Sequence, residues 1–547
     1  MRRRNAEPWP RAWLWPGLLL LLALLALQAQ AATRHVRPDD AQASDSGDGS
    51  RAHPWKTLTH AGNSLQPGDT LVIAAGLYRE SLLLPARGWS SERPTTILAE
   101  GRVELRGTDL VQGWEKLGGG VFVKRNWPQE PQQVLVAGRA LQQLGGTIFE
   151  GYPERPDHDL AGLHADQGGI WPTRVAGGEQ ALKPFSFWYD ASRKLLYVRL
   201  GADAGLAQAE VATRTWLLRA EKMAGLTVRG LRFRYSNTST LSRQGAVTVQ
   251  GNGNRLEQLV VQDADGVGIE LDGHDNQLLD CEVSRAGYLG IKARGERNTI
   301  AGNRVHHNNT RGFNKWWEAG GMKFIGDDGL RHSRVVRNQV AFNRGDGIWF
   351  DWGNDDNLVD NNQVAYNSGF GIHYEASSRG RILGNDVFGN GQRGIYLAHS
   401  RDSRVEGNLV LANALEGMVA IDEKRQDPQG RLDLRPRNNR FFGNVLAWNG
   451  ATALILPGAA LSNVSDSNVY VQNDGDPRFA MDWPKLWNRS MDLAHWRASQ
   501  GQDLHSRALR QAMSPALKAA LARQALDPDL SELKKLASPG LAQQGRR

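Results

Sequence analysis

The chain has 547 residues, with 66 Lys and Arg, 58 Asp and Glu, and a single cysteine, so it can bury a large core but cannot form an internal disulfide. The formal charge of +8 sits at the ends: residues 1–31 contribute +3 and residues 503–547 contribute +4, leaving +1 between. That balance argues against a nucleic-acid partner, which a basic face would announce.

Residues 1–31 read as a secretory signal. Arg2, Arg3, Arg4 and Arg11 flank an apolar run from Ala12 to Leu27, and Ala29-Gln30-Ala31 supplies a small-residue cleavage site. The run is too short for a preferred membrane span, so the expected product is secreted or periplasmic, without stable membrane insertion. Residues 32–112 carry Gly47-Asp48-Gly49-Ser50, Pro54-Trp55-Lys56-Thr57, Pro67-Gly68-Asp69-Thr70 and Gly76-Leu77-Tyr78-Arg79-Glu80. They predict a strand, a glycine-rich turn, a short helix around 57–65 and more β structure. Together these make an N-terminal cap and the first coils of a solenoid whose end would otherwise expose bare strand edges.

Residues 113–217 break that rhythm. Alternating runs at 121–124, 133–141, 185–190 and 195–200, with turns such as Gly118-Gly119-Gly120, predict an inserted small β-sandwich whose flank overhangs the site. Trp171 and Trp188 read as its core aromatics.

Across residues 218–506 one phrase recurs. Gly268-Ile269-Glu270, Gly290-Ile291-Lys292, Gly321-Met322-Lys323, Gly347-Ile348-Trp349, Gly371-Ile372-His373, Gly394-Ile395-Tyr396 and Gly417-Met418-Val419 follow at intervals of 22, 31, 26, 24, 23 and 23 residues. Asn303, Asn338, Asn362, Asn385, Asn408 and Asn444 form a second column, whose amides are expected to tie turn backbone from coil to coil. A 20- to 30-residue period without helical runs predicts an all-β, right-handed parallel β-helix with three short strands per coil. Cys281 shares the parity of Val283 and reads as a buried small apolar residue. One coil is read as longer than the rest: it inserts residues 308–318 and Ile325-Gly326-Asp327-Asp328-Gly329, projecting Trp316 and Trp317 as candidate platforms for sugar rings. Residues 507–547 read as a basic helical tail with a disordered end and no chemistry.

Gly347-Ile348-Trp349-Phe350-Asp351 is answered by Gly371-Ile372-His373-Tyr374-Glu375. With a period of two, Asp351 and Glu375 point outward from equivalent positions of successive coils, about 4.8 Å apart along the stacking direction. Two unit charges at about 5 Å repel by about 3 kcal/mol at an effective dielectric near 20, so a proton, a metal or a cation must compensate. A carboxyl separation of about 5 to 5.5 Å is what a retaining glycosidase needs. Lys323, one coil before Trp349, would hold Asp351 ionised as nucleophile. Glu375, beside His373 and Tyr396, would keep its proton longer as acid/base. Lys323, Trp349, His373 and Tyr396 are the expected substrate contacts in the outward column, with Trp317, Glu318 and Asp346 around it. No metal or cofactor is required. The expected partner is a polysaccharide or oligosaccharide, and the chain is expected to be a monomer. Two rivals remain open. One is a calcium-dependent polysaccharide lyase with Lys323 as base and Asp327, Asp328, Asp346, Asp351 and Asp355 as ligands. The other is a non-catalytic glycan-binding envelope scaffold.

The Gly-Asp-Gly, Pro-Trp-Lys-Thr, Pro-Gly-Asp-Thr and Gly-Leu-Tyr-Arg-Glu opening, the insert and the paired Asp and Glu phrases resemble secreted β-helix carbohydrate-active enzymes of the pectate-lyase-like superfamily. The nearest are glycoside hydrolase family 120, of β-xylosidase type, and family 141. The resemblance spans most of residues 33–506. It implies an Asp nucleophile and a Glu acid/base one coil apart, which fall on Asp351 and Glu375. It carries no substrate specificity, because the loops that set it do not align.

Overall fold

The computed structural model describes residues 31–149, 175–201, 205–206, 208–238, 244–315, 318–325, 329–422, 424–481 and 490–537. The expected signal (residues 1–31, of which 1–30 are undescribed), Trp171, Trp316, Trp317, Asp327 and Asp328 lie outside those residues. Among the described residues, no helix is long and apolar enough to cross a membrane.

The chain winds into a right-handed parallel β-helix. Asp346–Asp351, Leu358–Asp360 and Gln363–Ala365 make one coil, and Ile372–Glu375, Arg381–Leu383 and Asp386–Phe388 the next. All three pairs are parallel and in register. Inward, Ile269, Ile291, Met322, Ile348, Ile372, Ile395, Met418 and Leu454 stack as one buried file. Each such side chain contributes about 1.5–3 kcal/mol by leaving water. Cys281 is buried in the same core, and burial pushes its thiol up to about 12.

The turns explain the asparagines. The residue before each one takes a left-handed φ: Gly302, Arg337, Asn361, Gly384, Gly407, Gly443 and Ser467 precede Asn303, Asn338, Asn362, Asn385, Asn408, Asn444 and Asn468. Such a corner breaks the strand ladder, and for a non-glycine residue it costs roughly 1–2 kcal/mol. The asparagine amide replaces what is lost. Asn385, for example, donates to Val359 O at 2.9 Å and to Asn408 Oδ1 at 2.9 Å, and accepts the Asn362 backbone N–H at 2.9 Å. The expected column is therefore a hydrogen-bonded ladder. A second one runs beside it through Asn308, Asn343, Asn367, Asn390, Asn413 and Asn449.

The N-terminal helix is Leu58–Ser64, with the Thr57 side chain capping it. The insert begins at strand Thr108–Val111, inside the stretch assigned to the first coils, and consists of a four-stranded and a five-stranded sheet around Phe122, Phe187 and Leu196. One pairing, Gln142–Leu144 with Ser186–Asp190, is parallel rather than antiparallel. Trp188 stacks on Tyr197 within the insert. The insert docks on the solenoid through Arg311, whose guanidinium bonds Asp265, Gln143 and the Gln132 carbonyl. Its Ile148 packs beside Tyr288 and Phe313.

At the far end helix Leu493–Gln500 lays Trp496 on Phe479, and buried Asp503 accepts from Trp496, Tyr470 and Ser506. The tail differs from the helical expectation. Arg507–Arg510 is a further parallel strand on Val469–Gln472. Helices Pro515–Ala522 and Ser531–Lys534 then fold back so that Leu517, Leu530 and Leu533 cover Phe388, Leu411 and Val445 on the outer sheet face. The apolar outer residues of the third strands created that need, and a solvated tail would have left them bare.

Candidate active site

The site lies on the outer face of the sheet that contains the Gly-Ile strands. Glu270, Lys292, Lys323, Trp349, His373 and Tyr396 are partners in register from coil to coil. Two residues on, Asp351 faces Glu375, as the alternation required. Outward does not mean solvent-exposed here. Lys323 is 1% exposed, Trp349 and His373 5%, and Tyr396 7%. Trp349 stacks on His373 at 5.0 Å and His373 on Tyr396 at 4.8 Å, while the Lys323 ammonium sits 3.2 Å from the centre of the Trp349 ring. These four were expected to present themselves to a sugar. Their faces instead cover one another, so they form the floor that fixes the two carboxylates.

Each carboxylate has its own partners. Asp351 Oδ2 lies 2.9 Å from Lys323 Nζ. Glu375 Oε2 accepts the Trp349 indole N–H at 3.1 Å and lies 3.6 Å from His373 Nε2. Its Oε1 accepts from Arg425 at 2.5 Å. Burial pushes Asp351 above the usual carboxylate range and the neighbouring Glu375 adds to this, so that Lys323 offsets the rise only in part. Burial works on Glu375 in the same sense, but there the fields of His373, Arg425 and Lys323 outweigh it and leave Glu375 below its ordinary value. These directions are opposite to the ones expected from the sequence: Lys323 does reach Asp351, as foreseen, but Glu375 faces more donors and is the carboxyl that is pushed down.

Asp346 lies beneath the pair. It bonds His373 Nδ1 at 2.9 Å and accepts the Phe370 N–H at 2.8 Å, so it orients the imidazole and offers no open face. Glu318 is buried two coils towards the N-terminus from Glu375. It accepts from Tyr288 Oη at 2.5 Å and lies 4.0 Å from Lys292. Of the carboxylates considered for calcium, Asp351 is paired with Lys323 and Asp346 with His373, while Asp355 is held by Ser378 and Arg379. Among the described residues, no group of three or more His, Cys, Asp and Glu side chains is arranged to hold a metal.

Arg425 was missed by the sequence reading. It comes from a loop that lengthens a second coil: Asn408 to Asn444 spans 36 residues, against 23 from Asn385 to Asn408. The assumption of a single long coil was wrong, and that interval was the signal. The loop reaches back two coils, since Glu375 pairs Ala398 and Ala398 pairs Ile421.

Lys323→Met tests the floor. Removing one partner of a buried ion pair costs roughly 3–5 kcal/mol, so the urea midpoint is expected to fall. Asp351, relieved of a stabilising cation, should titrate at higher pH, as carbon NMR of labelled Asp would record.

The family described as "Right handed beta helix region" matches residues 245–410 and 330–475. A solved structure described as "The complex structure of XylC with xylose" superposes with a TM-score of 0.63 at 15% identity, covering 88% of this chain and 87% of that one. The shared fold is the right-handed parallel β-helix. A structure described as "Glycoside hydrolase" aligns over 92% of this chain and 100% of its own at 12% identity and a TM-score of 0.47. A PL6 family polysaccharide lyase from Pseudopedobacter saltans aligns over 84% of this β-helix and 92% of its own chain, at 13% identity and a TM-score of 0.45. A search of curated sequences finds no match.

Proposed function

We propose that this β-helix is a carbohydrate-active enzyme, specifically a retaining glycoside hydrolase acting outside the cytoplasm on a polysaccharide or oligosaccharide, as a monomer. The observation that carries the reading is the register of Asp351 on Glu375, two partly exposed carboxylates on adjacent coils pushed in opposite directions. One carboxyl inclined to keep its proton and one inclined to lose it, about one strand spacing apart, are the parts that a double displacement at an anomeric carbon requires. Glu375 is the nucleophile. Asp351 protonates the departing oxygen and then deprotonates the water that releases the sugar. This exchanges the roles that the resemblance to family 120 implies. The superposable structure with bound xylose supports a sugar as ligand. The charged, apolar and small-residue order of residues 1–31 supports export.

The hydrolase reading is favoured over the lyase one by the place of Lys323, which is buried with its ammonium between Asp351 and the Trp349 ring. The test is a panel of plant and bacterial glycans given to the mature protein, with products followed by proton NMR. Hydrolysis with the anomeric configuration retained is expected. Unsaturated products would establish a lyase, and inversion would exclude the double displacement.

A further inference from the structure

Resting on that reading, the geometry points to Arg425 as a positioning residue, a latch that a distant loop places on Glu375 to hold its carboxylate ionised and aimed. Arg425 donates to Glu375 Oε1 at 2.5 Å, and its guanidinium lies 5.0 Å from the Trp352 ring centre. Trp352 itself is fixed by its N–H to Glu375 O at 3.2 Å, on a left-handed φ of 59°. The platform under the guanidinium is therefore tied to the same residue that the guanidinium holds.

Of the other groups facing Glu375, His373 turns Nε2 toward Oε2 at 3.6 Å and adds its field to that of Arg425, and the rest are committed elsewhere or uncharged. Lys323, two coils back, bonds Asp351, and His373 on the same strand bonds Asp346 through Nδ1. The Trp349 indole supplies a neutral N–H, and Asp351 on the adjacent coil repels. Arg425 is different. Among the described residues, Glu375 is the one carboxylate within ion-pair range of its guanidinium.

The root of the loop is firm. Asp427 accepts the N–H groups of Gln429, Arg431 and Leu432, and Asp433 pairs with Arg435 and Arg437. The tip is not buried: the Arg425 side chain is 41% exposed, while that of Glu375 is 15% exposed. A firm root with a reachable tip lets the guanidinium slide along the carboxylate as a sugar enters, without the loop unfolding. Arg425 makes and breaks no bond in the proposed reaction. Its effect runs through the charge and the rotamer of Glu375.

An opposite charge at this range lowers a carboxylate by about 1–3 pH units, which sets the size of the test. Arg425→Met and Arg425→Lys are compared with the parent in two measurements. One is carbon NMR titration of labelled Glu side chains, with Glu375→Gln assigning the Glu375 signal. The other is the pH profile of kcat/KM. In Arg425→Met, Glu375 should titrate at least about one unit higher, and the acidic limb of kcat/KM should move up with it, with kcat reduced more than KM is changed. Arg425→Lys should restore most of both. An unmoved Glu375 titration in Arg425→Met overturns the latch, whatever happens to activity. A titration that moves while the acidic limb stays put supports the latch and overturns Glu375 as the ionised reactant.

Discussion

Glu375→Ala is expected to lower kcat/KM by about a thousandfold or more, and added azide should return turnover as a glycosyl azide of inverted configuration. The carboxylate supplies the bond to the anomeric carbon. Without it a small anion can occupy the vacated volume and attack from the same side, in one displacement. Asp351→Ala should behave differently. Losing a general acid costs about 10²–10⁴-fold on a glycan with a poor leaving group, but much less on an aryl glycoside whose phenol leaves unaided. Azide should then intercept the glycosyl-enzyme from the Asp351 side and give the retained product. The two outcomes assign the roles separately. If the stereochemistry is exchanged, Asp351 is the nucleophile, as the resemblance to family 120 implies, and the resting protonation order does not set the reaction. If both variants keep parent activity, the pair has no catalytic role.

The register of the two carboxylates was legible because it needs only a period of two and a period of coils. Gly347-Ile348-Trp349-Phe350-Asp351 and its echo fix which side chains share a face, and parallel stacking does the rest. Parity does not say what covers that face. Lys323, Trp349, His373 and Tyr396 point outward and are still buried, because the three rings stack on one another and the Lys323 ammonium lies against the Trp349 ring. The downward push on Glu375 was legible only in part: His373 stands in the same phrase, but Arg425 lies 50 residues further along, and no local pattern joins it to Glu375. The 36-residue interval from Asn408 to Asn444 could have located the loop, though not its target. The tail strand was hidden too: Arg507-Ala508-Leu509-Arg510 is short and flanked by helical composition, and it becomes a strand because Val469–Gln472 offers an open edge.

Asn385→Ala should destabilise the protein more than removal of one methyl group from the apolar core. The side chain is fully buried, donates to Val359 O and Asn408 Oδ1, and accepts both the backbone N–H and the Nδ2 of Asn362. Alanine removes these bonds and leaves the Asn362 donors and the Val359 carbonyl with no water in reach. An unsatisfied buried polar group costs about 1–3 kcal/mol, so three of them put the loss at roughly 3–6 kcal/mol after partial relaxation. By comparison, Ile→Val in the neighbouring core file costs about 0.5–1.5 kcal/mol. The urea midpoint read by tryptophan fluorescence should fall by the larger amount. Asn385→Asp separates hydrogen bonding from volume, since it keeps the shape and the acceptor but loses both donors. It should fall nearly as far at neutral pH and recover part of the loss in acid, where the carboxyl can donate once. An alanine variant within about 0.5 kcal/mol of the parent, the range of an ordinary surface change, would mean that the inward apolar file alone holds the coils in register and that the ladder is a consequence of stacking rather than a cause.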